Sequence, residues 1–107
     1  MFMQSETKMW KVDNLARLDI LYRGVDAPAF HLKLAGVLHD DFGDYPLLTP
    51  LGSLLHERGP LNGDRTLHVV DSYLLAFFDR YLKDRPSPLL NGPSPDFPEV
   101  QFESRMP

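Results

Sequence analysis

The chain has no cysteine among its 107 residues. That excludes disulfide frameworks, cysteine-ligated zinc and thiol nucleophiles. It leaves the compartment undetermined, because a cysteine-free chain suits either side of a membrane. Basic residues are also scarce and scattered: 11 Lys and Arg stand against 15 Asp and Glu, for a formal net charge of -4. Binding nucleic acid takes a basic stripe that neutralises phosphates, so a nucleic-acid partner is not expected. No apolar run approaches the roughly 18 residues that a membrane span requires. The opening MFMQSETKMW lacks the basic region and apolar core of a signal peptide. There is no internal repeat.

What is present reads as a folded chain. Hydrophobic residues make up 43% and charged residues 24%, a balance that favours a packed core over disorder. The length suits one domain and not two. Met1-Phe2-Met3-Gln4 is apolar from its first residue and strand-like, running into Ser5-Glu6-Thr7. A domain more often opens on a polar, frayed leader, so further sequence upstream is expected. Over residues 8–23, Trp10, Leu15, Leu18, Leu21 and Tyr22 have helical spacing, and Gly24 is a natural stop. In residues 29–35, Phe30, Leu32 and Leu34 alternate with His31 and Lys33, the mark of a half-buried strand ended by Gly36.

Residues 37–60 are punctuated by Gly43, Pro46, Pro50, Gly52, Gly59 and Pro60 and read as loop, with a short helical turn over residues 51–57. The strongest helix signal covers residues 64–83. There Leu67, Val70, Leu74, Phe77, Phe78 and Tyr81 mark one face, and Asn62 or Asp64 is available as the cap. Five prolines between Pro86 and Phe102 predict an extended tail over residues 86–107, set apart from a unit of residues 1–85. The order is strand, helix, strand, loop, helix, tail. It predicts an α/β fold with two parallel strands, two main helices and an extended tail. Two parallel strands make a poor sheet alone, so the pattern suggests the closing edge of a larger one.

The chemistry-bearing stretch is GVLHDDFGDYP, where His39 follows the second strand and stands beside Asp40, Asp41 and Asp44. A metal site would need further histidines, as in helical phosphohydrolases, and the aspartates lack the spacing of a calcium-binding loop. A catalytic base fits the position, because reacting groups in α/β sheets gather at the carboxyl ends of strands. A solvated surface loop is the plainer alternative. His31, His56 and His68 read as ordinary strand, loop and helix-surface residues, and Trp10, Phe77 and Phe78 as core.

The stretch LKLAGVLHDDFGDYPLL, followed by SYLLAFFDRYLKD, resembles the C-terminal part of α/β-hydrolase esterases. The resemblance is to the platelet-activating-factor acetylhydrolase-like group and related dienelactone-hydrolase-type proteins. There a strand leads into Gly-x-x-His-x-x-Phe-x-Asp, matched here by Gly36, His39, Phe42 and Asp44. The opening MFMQSE is similar to the group's preceding strand, and residues 64–83 to its final helix. The resemblance implies that His39 is the general base of a Ser-His-Asp triad, with Phe42 and Asp44 anchoring its loop. It implies a small ester or lipid-like substrate and no cofactor or metal.

The sequence departs from the group's pattern in one large respect. It holds no Gly-x-Ser-x-Gly; Gly52-Ser53 sits in LGSLL, without the second glycine. The resemblance therefore implies the histidine-bearing C-terminal part of a serine esterase, with the nucleophile and oxyanion donors upstream, and no activity from this chain alone. The triad acid is either upstream or Glu6, for which a helix-start carboxylate is the plainer reading. The alternative function is a small α/β binding or regulatory module derived from a hydrolase and without its chemistry. The missing part of the fold is an implied partner, and self-association through exposed apolar surface is expected.

Overall fold

A computed structural model describes residues 1–6, 12–43 and 59–107. Within them the chain forms β1 (Phe2–Ser5), α1 (Val12–Gly24), β2 (Ala29–Leu34), a 3-10 turn (His39–Phe42), α2 (Gly63–Leu82), a second 3-10 turn (Pro88–Leu90) and β3 (Val100–Arg105). The strands lie in the order β1-β2-β3. β1 is parallel to β2, with Phe2 opposite His31 and Ser5 opposite Leu34. β3 is antiparallel to β2, with Leu34 opposite Val100 and Ala29 opposite Arg105.

The parallel pair follows from a strand-helix-strand order. The third strand corrects the two-strand expectation. No proline falls between Pro98 and Pro107, and in that interval Val-Gln-Phe-Glu alternates as a strand should. Its partner, β2, lies far back in the sequence, where local pattern cannot reach it. The sheet is therefore mixed.

Alternation along the strands gives the sheet two unlike faces. Phe30, Leu32, Leu34, Val100 and Phe102 point to α2, where Leu32, Leu34, Val37, Val69, Tyr73, Phe97 and Val100 form the main core. A second cluster of Phe30, Ala76 and Leu90 continues it. The opposite face carries Gln4, His31, Lys33 and Glu103 and is capped by Tyr22 of α1, whose ring meets Phe2 at 6.0 Å and His31 at 5.6 Å.

Helix α2 starts where Asn62 Oδ1 accepts from the amides of Asp64 (2.9 Å) and Arg65 (3.3 Å), two donors that the first turn leaves without intrahelical partners. It ends as Asp84 turns into the left-handed region (φ 52°) and the Arg85 amide donates back to Asp79 O at 2.9 Å. Its buried face is Thr66, Val69, Tyr73 and Ala76. This corrects the expected face: Leu67, Val70 and Phe77 are half-buried flanks, while Leu74, Phe78 and Tyr81 are exposed. Tyr73 holds the centre of the contact, its ring against those of Phe97 and Phe102, and the stripe of Thr66, Val69 and Ala76 around it leaves residues 67, 70 and 77 on the flanks.

The tail is fastened to the first turns of α2. Arg65 donates to both carboxylate oxygens of Glu99 and to Asp96 O, and its guanidinium lies 5.0 Å from the centre of the buried Phe97 ring. Hydrogen bonding from Arg65 holds the Glu99 carboxyl below its ordinary range and raises the guanidinium further. Among the described residues, no helix is long and apolar enough to cross a membrane.

Candidate functional site

β1 and β2 are parallel, so their carboxyl ends lie together, and the histidine loop leaves from this end of the sheet. Gly36 makes the departure possible. Its φ of +74° is a conformation that a side chain would strain. Its amide donates to Glu6 Oε2 at 2.7 Å, and its carbonyl accepts from the Leu61 amide at 3.0 Å. The Glu6 amide donates to Val37 O at 2.8 Å, which carries the β1–β2 pairing one step into the loop. Val37 is fully buried in the core.

His39 then opens the 3-10 turn and is exposed. Asp41, two residues on, is 1% exposed. Its Oδ2 accepts from the amides of Leu38 and Gly59, both at 2.8 Å, and the Asp41 amide donates back to Leu38 O at 3.2 Å. A carboxylate that accepts two backbone donors behaves as a helix-type cap for the turn. Gly59 has no room for more than hydrogen. A Cβ there would stand 2.1 Å from Gly36 O and 3.0 Å from Asp41 Oδ2. Half-buried Phe42 and Leu61 pack on the main core behind the turn. Three strands of backbone are thus knotted together: the end of β1, the histidine turn, and the approach to α2.

Of the residues singled out from sequence, Gly36, His39 and Phe42 lie in this loop, and Asp44 lies outside the described residues, as do Trp10, His56 and the expected turn over residues 51–57. Asp41 has scaffolding contacts to backbone amides. Glu6 accepts from the Gly36 amide at the base of the loop, a strand-end anchor in place of a helix-start carboxylate. His31 is engaged within the sheet, with Nε2 2.9 Å from Gln4 Oε1 and Nδ1 3.8 Å from Glu103 Oε2. His68 is exposed on α2, its ring 5.6 Å from that of Phe97. Among the described residues, no group of three or more potential ligands is placed to hold a metal ion. A mainly apolar groove of about 380 Å3 lies along β1 and α1, lined by Met3, Gln4, Leu15, Leu18 and Leu21. Its walls do not include His39.

The three-stranded mixed sheet with its two helices is consistent with part of an esterase-like hydrolase fold. A solved structure, the ferulic acid esterase from Streptomyces cinnamoneus, superposes with a TM-score of 0.78 at 26% identity, over 94% of this chain. This chain spans 32% of that esterase's length. No family model and no curated protein matches the sequence.

Proposed function

We propose that this chain is the histidine-bearing part of a serine esterase, with His39 as the general base. The observation that carries the reading is the setting of His39: exposed, just past the carboxyl end of a central strand, on a turn pinned from two sides. The superposition on an esterase supports it. In such a site the imidazole takes the proton of a serine hydroxyl as it attacks the ester carbonyl, then returns it to the departing alkoxide. The serine and the oxyanion donors belong to the rest of the hydrolase fold, so the chain by itself turns over no ester.

Short acyl and lipid esters are the substrates implied by the acetylhydrolase-like pattern, and the structural neighbour adds esters of ferulic acid as a class to test. Leu74, Leu75, Phe78 and Leu82 on α2, with Ile20 and Leu21 on α1, are exposed apolar surface that the rest of such a fold, or self-association, would cover.

The decisive experiment uses a polypeptide that contains this sequence together with a Gly-x-Ser-x-Gly segment. Hydrolysis of p-nitrophenyl acetate and methyl ferulate is compared with that of its His39→Gln variant. The expected loss in kcat is on the order of a thousandfold or more, with the fold intact by circular dichroism. Activity retained in His39→Gln removes the proposal.

A further inference from the structure

We propose that Asp41 is the positioning residue for His39, and that it works as a shared hydrogen-bond acceptor, not as a negative charge. The inference rests on His39 being the reactive group of this loop. One carboxylate oxygen holds two segments distant in sequence: Leu38, immediately before the histidine, and Gly59, three residues before the cap of α2. A single Oδ2 thus fixes the histidine turn against a long helix whose own position is set by the core. The turn inherits the rigidity of α2.

The other oxygen explains why charge is not what matters. Oδ1 is buried and has no hydrogen-bond partner among the described residues. An ion kept for its charge normally has both oxygens satisfied, because an unmet oxygen in a dry site is costly. Asp41 makes both of its contacts through one atom, and an asparagine carbonyl offers the same atom in the same place. The amide nitrogen would take the position of Oδ1. Alanine removes the acceptor and leaves two buried amides without a partner.

The test is amide hydrogen exchange by NMR on a polypeptide that contains this sequence together with the rest of its fold, comparing the unmodified protein with Asp41→Asn and Asp41→Ala. Both Leu38 and Gly59 amides are expected to stay protected within a few-fold in Asp41→Asn. In Asp41→Ala both are expected to exchange faster by on the order of tenfold or more, while the Ala35 amide, bonded to Glu99 O, keeps its protection. Rescue by asparagine is the outcome that a role for charge does not allow. Two results overturn the proposal: exchange in Asp41→Asn as fast as in a variant without the acceptor, or protected amides in Asp41→Ala. If Asp41→Ala does not fold, the asparagine variant decides alone. These readouts need no catalysis, so their failure is separate from a failure of the esterase reading.

Discussion

Both helices carry amphipathic spacing, the stronger signal in α2, and the fold treats them differently. α2 runs for 20 residues, is capped by Asn62 and buries Thr66, Val69, Tyr73 and Ala76 against the apolar sheet face. α1 runs for 13 residues over the polar face, buries Tyr22, and leaves Ile20 at 69% and Leu21 at 62% exposure. Helical stability in a folded chain comes mainly from what the apolar stripe packs against. Periodicity announces a stripe; the opposing surface decides whether it is core. Here the opposing surface of α2 is Leu32 and Leu34, and that of α1 includes His31 and Gln4.

That contrast can be broken from either side. The largest effect is expected from Tyr73→Ala, which empties the centre of the α2 contact and should cost about 3–5 kcal/mol in urea unfolding. The tail clamp comes next. Because the Glu99 carboxyl is held below its ordinary value of 4.5 by Arg65, the clamp's contribution is complete above that value. It is lost as pH falls through the lowered native value. The thermal midpoint should therefore drop more steeply below about pH 4.5 in the native chain than in Glu99→Gln, and parallel curves would count against the clamp. Asn62→Ala removes the acceptor for two first-turn amides and should cost about 1 kcal/mol. The smallest effects mark the edges of the contrast. Ile20→Ser on α1 should stay within about 0.5 kcal/mol of the native chain. Tyr73→Phe removes a hydroxyl that is buried without a partner among the described residues, and should be neutral or stabilising by up to about 1 kcal/mol.

Much of this architecture is legible in local sequence. The alternation of Phe30, Leu32 and Leu34 marks β2, the spacing from residue 64 onward marks α2, Asn62 is a recognisable cap, and strand-helix-strand order implies the parallel pair. His39 is legible as a strand-end residue for the same reason. β3 is less so, because a proline-rich approach masks the short Val100-Gln101-Phe102-Glu103 alternation, whose partner is distant. The role of Asp41 is not local either: it anchors the turn through the distant Gly59 amide, and nothing in HDDFGD announces that contact. Glu6 reads as a helix-start carboxylate from sequence, yet the parallel register brings the Gly36 amide to it.

The antiparallel partner of β2 also fixes an order of events. Leu34 must wait for Val100, and Ala29 for Arg105, before the central strand is paired on both sides. A chain made from its amino end presents β1, β2 and α2 well before β3 exists. Until then Phe30, Leu32 and Leu34 lie beside an open edge able to recruit another chain. Folding should therefore run on the clock of long-range loop closure, not of helix growth.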